Sequence, residues 1–168
     1  MIHIYTGDGK GKTTAAIGLV TRAKGAGMSC TLVHFFKTPS SSEDKALLKL
    51  GVDVVSVPLR HPFFVGNDFF QEKKDEYVRE MQTILFDWDF SKYAVIALDE
   101  ILNALDLGLI NATDIKQFAE KYKDKEVVLT GRTNKLSEIE LLADYITEMK
   151  KIKHPFDKGA GAREGIEF

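Results

Sequence analysis

The stretch TGDGKGKTT, residues 6–14, decides how this chain begins to fold and what its first turn can hold. Residues 2–5 precede it with strand-forming side chains, and residues 12–26 follow it with helical character. Glycines permit backbone angles that other residues avoid, so the turn can direct its N–H groups inward at a helix N-terminus, where they attract an anion. Lys12 adds a positive charge, and the Thr13 hydroxyl suits a magnesium ion. The pattern predicts a Walker A phosphate loop that binds ATP or GTP.

The candidate nucleotide-binding residues of this loop are Gly7, Asp8, Gly9, Lys10, Gly11, Lys12, Thr13 and Thr14. The usual spacing of a phosphate loop would place glycine at position 6, where this chain has Thr6 followed by Gly7. The loop is therefore expected to curve differently. The alternative is a chance glycine- and lysine-rich loop at a junction between a strand and a helix.

A second site feature is the carboxylate pair Asp99 and Glu100, which follows the continuous apolar run of residues 94–98. Such a run is typical of a strand buried on both faces. Two carboxylates at its carboxyl end are costly unless a positive group meets them, and a magnesium ion on a bound triphosphate would do so. The alternative is an acidic pair that caps a helix beginning at Ile101.

Composition favours one compact enzyme domain over residues 1–168, because the chain is long enough for a core and has no linker-like segment. The net charge of −2 and the pI near 6.1 give no electrostatic footprint for nucleic acid. No run is apolar enough to span a membrane and no signal peptide is evident, so we expect a cytoplasmic protein. Cys30 is the single cysteine, and its apolar strand predicts a buried thiol.

Strands and helices are predicted to alternate along the chain. The strands fall near residues 2–5, 30–35, 53–57, 93–98 and 126–130, and the helices near residues 12–26, 43–50, 68–86, 110–123 and 135–143. This alternation predicts an α/β fold, a mostly parallel sheet with helices on both faces and ligands at the carboxyl ends of the strands. The phosphate loop, the pair Asp99–Glu100 and the turn Thr130–Arg132 all fall at such ends. Residues 40–42, three serines, predict a loop that caps the next helix, and the apolar positions of residues 70–85 predict a core-facing stripe.

Several stretches together resemble the P-loop family of cob(I)alamin, or corrinoid, adenosyltransferases. They are YTGDGKGKTTAA (5–16), RA (22–23) with Gly25 and Gly27, FK (36–37), LDE (98–100), LTGR (129–132), LAD (142–144), KHPFDKG (153–159) and GIEF (165–168). The tail with its Lys-His-x-Phe-Asp-x-Gly pattern and the Thr-Gly-Arg turn are more specific than the phosphate loop, and the family's loop also has threonine before its first glycine. The resemblance implies a P-loop NTPase-like, RecA-type fold.

The resemblance also implies an activity in adenosylcobalamin synthesis or salvage. The cobalt of a reduced corrinoid would attack C5′ of ATP, and triphosphate would leave intact. By matching position, the loop would wrap the polyphosphate, Lys12 and Glu100 would serve catalysis, and Thr13 and Glu100 would hold Mg²⁺ with Asp99 alongside. Arg22 would reach the nucleoside end of ATP, and Arg132 would meet phosphate, although an arginine that caps backbone carbonyls is its alternative. A flavoprotein reductant and a homodimer are family expectations.

Two departures from the family concern the corrinoid end. Longer members have an N-terminal extension that helps cover the corrinoid, and this chain starts at its first strand. They also place a Phe-x-Trp pair after the third strand, where this chain has residues 60–65, RHPFFV, and its only tryptophan is Trp88. Phe63 and Phe64 are the candidate corrinoid-binding replacements, and the alternative is an aromatic cluster that anchors a long connection. His61 introduces an imidazole that could itself ligate cobalt.

Two further functions stay open on the sequence. The phosphate loop alone also suits a nucleotide kinase or ATPase, which would yield ADP instead of triphosphate. A non-catalytic protein that binds ATP or a corrinoid is the third possibility, because the extension is missing and the aromatic loop is changed.

Overall fold

A computed structural model describes residues 1–37, 41–57, 59–159 and 161–166 of the chain. Its six strands are β1 (Ile2–Thr6), β2 (Cys30–His34), β3 (Asp53–Ser56), β4 (Val95–Asp99), β5 (Glu126–Thr130) and β6 (Tyr145–Glu148). Its α-helices are α1 (Lys12–Gly25), α2 (Ser42–Lys49), α3 (Pro62–Val65), α4 (Asn67–Gln82), α5 (Ile101–Asp106) and α6 (Ala112–Lys121). A π-helical turn, Thr83–Asp87, extends α4. Within the described residues, no helix is both long enough and apolar enough to cross a membrane.

The strands form one sheet in the order β3-β2-β4-β5-β1-β6, and every neighbouring pair is parallel. The prediction of an α/β fold with a mostly parallel sheet is therefore confirmed. All residues of β2 and β4 are buried, as expected of central strands that are covered on both faces.

Side chains of the central strands alternate between two apolar clusters, one on each face of the sheet. Ile96 and Leu98 of β4 belong to the larger cluster, which includes residues of α4, α5 and α6. Val95 and Ala97 point to the smaller cluster, which includes residues of α1 and α2. The alternation follows from the two-residue period of a strand. Helices thus cover both faces, as predicted.

Local predictions were correct in several places. Ser41 caps α2 through a reciprocal capping box, in which its hydroxyl accepts from the Asp44 amide; Ser40 lies outside the described residues. The thiol of Cys30 is buried. The predicted stripe of α4 and its extension faces the larger cluster, to which Ile84 contributes as a partly buried residue; its buried members are Phe70, Tyr77, Met81 and Leu85.

Other predictions were wrong. The helix expected over residues 135–143 is instead two 3₁₀ turns, Leu136–Glu138 and Glu140–Leu142. Apolar side chains at Leu136, Ile139 and Leu142 recur every three residues, a spacing that a 3₁₀ turn places on one side as well as an α-helix does. Strand β6 and the helix α3 are additional to the predicted elements. Helix α5 begins at Ile101, as the alternative for the acidic pair supposed, but no side-chain hydrogen bond caps it within the described residues. β6 matters for the site, because it pairs with β1 directly beside the phosphate loop.

Candidate functional site

The carboxyl ends of four adjacent strands present a row of buried polar side chains. Thr6 ends β1, His34 ends β2, Asp99 ends β4 and Thr130 ends β5, and each is at most 6% exposed. The register pairs His34 with Asp99 on neighbouring strands. Because a parallel sheet brings all of its strand ends to one edge, residues far apart in sequence meet here. The three predicted site segments therefore lie at one edge of the sheet.

The phosphate loop is closed around its own lysine and packed against the end of β6. The Lys12 ammonium donates to the carbonyls of Gly7 and Gly9, at 2.6 and 2.8 Å. The Gly9 amide donates to the Met149 carbonyl. A Cβ on Gly7 or on Gly9 would lie 2.6 Å from the Met149 oxygen, so both positions require glycine. Among the described residues no side chain caps the N-terminus of α1, which leaves its amides available to an anion.

Asp99 is the centre of a hydrogen-bond network, and both of its carboxylate oxygens are engaged. Oδ1 accepts from the hydroxyls of Thr13, at 2.9 Å, and Thr130, at 2.6 Å. Oδ2 lies 3.0 Å from Nδ1 of His34 and 3.2 Å from Nζ of Lys37. Burial opposes ionisation, but the hydrogen bond from His34 and the Lys37 charge outweigh it and hold the pKa of Asp99 well below its usual range. Asp99 is therefore an ionised anchor that orients Thr13.

His34 lies between two carboxylates in the fully buried interior. Its Nδ1 contacts Asp99, and its Nε2 lies 2.9 Å from Oδ1 of Asp44. Ionised carboxylates only accept hydrogen bonds, so both ring nitrogens must carry hydrogen and the ring is an imidazolium. Burial favours the neutral ring, but the hydrogen bonds to Asp44 and Asp99 raise the pKa of His34 to about 9. Because Asp44 also accepts from the Ser41 amide in the capping box, His34 ties α2 to the site.

Glu100 has a left-handed backbone conformation, with φ 65°. Within the described ranges it is the only non-glycine residue with a positive φ. Its amide donates to the Thr130 hydroxyl at 3.0 Å, which fixes the turn after β4. Within those ranges no group donates a hydrogen bond to its carboxylate. Burial and the neighbouring Asp99 charge raise the pKa of Glu100. A carboxylate in this position suits a cation.

Arg132 approaches the phosphate loop from the end of β5. Its Nη2 donates to the Asp8 carbonyl at 3.2 Å, and its Nε lies 3.9 Å from the Asp8 carboxylate. Burial, followed by the Arg132 charge, lowers the pKa of Lys12, so the two cations share one region. The alternative to a phosphate contact was that Arg132 caps backbone carbonyls. It does contact a backbone carbonyl, and that carbonyl belongs to the phosphate loop.

Asn103, in α5, links the Thr-Gly-Arg turn to the loop before α3. Its Oδ1 accepts from the Arg132 amide at 2.7 Å, and its Nδ2 lies 3.3 Å from Nε2 of His61. Gly131 has φ 137°, and a Cβ on it would lie 2.5 Å from Oδ1 of Asn103. The glycine of this turn is therefore required by close contact with Asn103.

Phe63 and Phe64 stand out from the surface next to this edge of the sheet. Each is 77% exposed, and their rings meet edge to face with centroids 5.4 Å apart. Nδ1 of His61 accepts from the Phe63 amide at 3.1 Å, which caps the short helix α3. The His61 ring packs edge to face on buried Phe36, with centroids 4.9 Å apart. Such exposure does not fit an aromatic cluster buried as an anchor and leaves the pair free to contact a ligand.

Arg22 is not brought to the phosphate loop. It is exposed in the last turn of α1, ten residues beyond Lys12 and thus about 15 Å along the helix axis. Its contact with the nucleoside stays a prediction. The tail pattern contributes a 3₁₀ turn, Pro155–Lys158, while Glu167 and Phe168 lie outside the described residues.

Four residues of the site were given no role by the sequence: His34, Lys37, Asp44 and Asn103. His34 falls within a predicted apolar strand, and only the strand order shows that it faces Asp99. Asp44 falls near the start of the helix predicted over residues 43–50, and no sequence pattern distinguishes it from an ordinary surface carboxylate. For Asn103 a signal existed, because it lies four residues after Asp99, one helical turn beyond a strand end.

The whole chain is similar to known proteins. The model of the family described as ATP:corrinoid adenosyltransferase BtuR/CobO/CobP matches residues 1–168. A corrinoid adenosyltransferase from Sinorhizobium sp is 34% identical over all of this chain and 80% of its own length. The corrinoid adenosyltransferase of Escherichia coli (strain K12) is 30% identical over all of this chain and 85% of its own.

A solved structure is similar in fold. It is the flagellar accessory protein FlaH from Methanocaldococcus jannaschii, with a TM-score of 0.60 and 18% identity over 88% of this chain and 69% of that one. This likeness concerns the fold alone and agrees with the predicted RecA-type arrangement. The family model matches the chain from the first strand to the tail, and the two relatives align with all of this chain and with 80% and 85% of their own lengths. On that basis the chain belongs to the ATP:corrinoid adenosyltransferase family.

Proposed function

We propose that this protein transfers the 5′-deoxyadenosyl group of ATP to the cobalt of a reduced corrinoid and releases triphosphate. The observation that carries the proposal is the placement of a phosphate loop and an exposed apolar pair at one edge of the sheet, joined through Arg132, Asn103 and His61. An anionic leaving group and a large, flat, largely apolar substrate would thus have adjacent surfaces. The proposal covers adenosylcobalamin synthesis or salvage.

In the proposed reaction, the electron pair of Co(I) attacks C5′ of ATP. The cobalt–carbon bond forms while the C5′–O bond breaks, and that bonding pair leaves on the triphosphate. Cobalt is formally oxidised to Co(III), and no proton needs to move. The protein therefore needs no nucleophilic side chain, and its task is positioning and stabilisation of the negative charge that develops on the leaving oxygen.

The cations of the site fit this task. Lys12 and Arg132 share the mouth of the loop, and the uncapped amides of α1 add partial positive charge. Ordinary phosphate loops direct the terminal phosphoryl group toward a nucleophile. We propose that ATP lies in the reverse direction here, with C5′ toward Phe63 and Phe64 and with Arg22 at the nucleoside end.

The donor set also fits a magnesium ion. Thr13 gives its hydroxyl hydrogen to Asp99, which leaves the oxygen lone pairs for a cation, and the Glu100 carboxylate has no donor among the described residues. No group of three or more His, Cys, Asp or Glu in the described part of the chain could enclose a metal. Mg²⁺ commonly uses few protein oxygens and completes its shell with phosphates and water. We propose Thr13 and Glu100 as ligands, with Asp99 orienting Thr13; the ion would neutralise phosphate charge.

The deciding experiment is an anaerobic incubation of the protein with ATP, magnesium and chemically reduced cobalamin, followed by chromatography. Adenosylcobalamin with equimolar triphosphate is the expected outcome. ADP without adenosylcobalamin would assign the protein to phosphoryl transfer, and ATP binding without any product would favour a non-catalytic binding protein. Lys12→Ala should abolish the product without unfolding the chain. Lys116→Ala, which removes an exposed lysine on α6, is the matched control and should keep full turnover.

Other family expectations remain parts of this proposal. Supply of Co(I) requires a strong reductant, for which a flavoprotein is the proposed class, and a homodimer and a cytoplasmic location are proposed with it. Analytical ultracentrifugation of the purified chain tests the dimer directly.

A further inference from the structure

We propose that Lys37 makes metal binding at the phosphate loop depend on the nucleotide, because its ammonium group repels a free divalent cation and attracts the polyphosphate of ATP. This role rests on the magnesium site of the proposed function and not on the corrinoid. Lys37 itself supplies the positive charge that the carboxylates of the site need before ATP binds. Mg²⁺ then enters together with the nucleotide.

The chain beyond β2 carries Lys37 to the edge of the sheet. The Phe35 amide donates to the Asp99 carbonyl at 3.1 Å, so the segment that follows β2 still runs beside the end of β4. The next residue, Phe36, is buried. The Lys37 ammonium lies 3.2 Å from Oδ2 of Asp99 and 3.2 Å from Oε1 of Glu43, in the first turn of α2. Side chains of two elements, β4 and α2, therefore hold the ammonium in place.

The Asp99 carboxylate separates this ammonium from Thr13, a proposed metal ligand. Its Oδ2 contacts Lys37, while its Oδ1 accepts from the Thr13 hydroxyl. A cation held by Thr13 and the Lys37 ammonium would thus lie on the two sides of one carboxylate group. Charges that are this close and partly buried are screened little by salt. The Lys37 charge therefore acts directly on an ion at the proposed metal site.

The Lys37 charge also reaches Glu100, the second proposed ligand. Burial lowers the pKa of Lys37, but the charges of Asp99, Glu43 and Glu100 outweigh it and raise that pKa. The lysine side chain is 27% exposed, so water weakens these interactions only in part. Lys37 is thus a fixed positive charge shared by three carboxylates.

The sign of this charge decides which partner it favours. A free Mg²⁺ ion is repelled by the ammonium, whereas ATP is a polyanion and is attracted. In the part of the chain that the structure describes, no group of three His, Cys, Asp or Glu could hold a metal, so few protein ligands offset the repulsion of a free ion. Phosphate oxygens supply ligands to Mg²⁺ and negative charge to Lys37 at the same time. The two cations become compatible only when the polyphosphate is present.

The test measures two affinities that need neither a corrinoid nor turnover. Mn²⁺ replaces Mg²⁺, and its binding without nucleotide is followed by electron paramagnetic resonance. The affinity for ATP is measured by calorimetry in EDTA, so that no metal contributes. Lys37→Met removes the charge and adds no oxygen ligand. It should bind Mn²⁺ at least about tenfold more tightly than wild type, and metal-free ATP at least about threefold more weakly.

Further variants separate charge from packing. Lys37→Gln also removes the charge but keeps a hydrogen-bond donor for the two carboxylates, so it should show the same two changes even if the methionine variant does not fold. Glu43→Gln removes a negative charge from the same group and should change both affinities in the opposite directions. Lys37→Arg keeps the charge and should stay within about threefold of wild type in both. Lys116→Met, on exposed α6 surface, is the control and should change neither.

Opposite changes of the two affinities are the mark of a charge effect, because a merely structural loss would weaken both. If the neutral Lys37 variants bind Mn²⁺ no more tightly than wild type, or lose affinity for Mn²⁺ and ATP together, the proposal is wrong.

The same measurements separate this role from the proposed function. If both affinities respond as expected and wild type forms no adenosylcobalamin, the role of Lys37 stands and the transfer reaction is wrong. If wild type forms adenosylcobalamin and the affinities do not respond, only the role of Lys37 is wrong.

Discussion

The buried imidazolium of His34 predicts a specific loss of stability at alkaline pH. The ring has an ordinary pKa of 6.5, and its contacts with Asp44 and Asp99 raise this to about 9 in the folded protein. A group whose pKa is raised on folding stabilises the fold fully below its unfolded value and ceases to do so as the pH rises through its folded value. The contribution of His34 should therefore be complete below pH 6.5 and lost between pH 6.5 and about 9.

The size of this loss follows from the same two values. One pKa unit corresponds to about 1.4 kcal/mol, so the full contribution of His34 is about 3 kcal/mol of the free energy of unfolding. A small domain has only about 5–15 kcal/mol in total, which makes the change easy to measure. The assay is urea unfolding followed by circular dichroism at intervals of half a pH unit between pH 6 and pH 10.

A matched background and a control variant separate the titration of His34 from that of other groups. Burial also raises the pKa of the Cys30 thiol above its ordinary 9.0, so the series should be run with Cys30→Ala in every protein. Asp44→Asn removes one of the two carboxylate charges and keeps an oxygen at that position, so it should move the loss of stability to lower pH. Identical, flat profiles for both proteins between pH 6.5 and pH 9 would refute the assignment of a charged His34.

Three further predictions concern the edge of the sheet. Gly9→Ala places a Cβ 2.6 Å from a backbone carbonyl oxygen, so it should weaken ATP binding at least tenfold and lower the free energy of unfolding by about 1–3 kcal/mol. Gly18→Ala is the control, because Gly18 has open space around it, and it should stabilise α1 by about 1 kcal/mol. Calorimetry measures the ATP affinity and urea unfolding measures the stability of both variants. Thr130→Val removes the hydroxyl that donates to the buried Asp99 carboxylate and accepts from the Glu100 amide, so it should lower the free energy of unfolding by about 1–3 kcal/mol. An unchanged midpoint in urea unfolding would contradict the network. Phe63→Ala and Phe64→Ala should each raise the KM for the corrinoid with unchanged thermal stability, since both rings are exposed; an unchanged KM for both would remove them from the corrinoid site.

The sequence predicts the site from local features. Gly-Lys-Thr between a strand and a helix, and Asp99 after an apolar run, can each be recognised within about ten residues, because their chemistry depends on the backbone that immediately surrounds them. The sequence also predicted the four central strands, which in a parallel sheet are apolar at nearly every position, and the edge strand β3 with its two valines. Those inferences needed no knowledge of the strand order.

The features that the sequence did not predict depend on the order of the strands, or belong to the outermost strand β6. All four residues of β6 are exposed, so this strand has no apolar pattern that would distinguish it from a loop. The role of His34 requires β2 to lie beside β4 and α2 to follow with Asp44 in reach. Asn103 becomes meaningful only when β5 brings Gly131 onto α5. The contacts of His34 and Asn103 join segments that are far apart in the sequence, so no single stretch of sequence predicts that they lie close together.

The contact of the phosphate loop with Met149 has a consequence for how the protein is made. β1 and the loop are synthesised more than 100 residues before β5 and β6, the two strands that pair with β1, and the Gly9 amide can bond its partner only when residue 149 is present. Synthesis proceeds from the N-terminus, and contacts of such large sequence separation form late. The nucleotide cradle can therefore reach its folded form only after residue 149 has been synthesised and has left the ribosome.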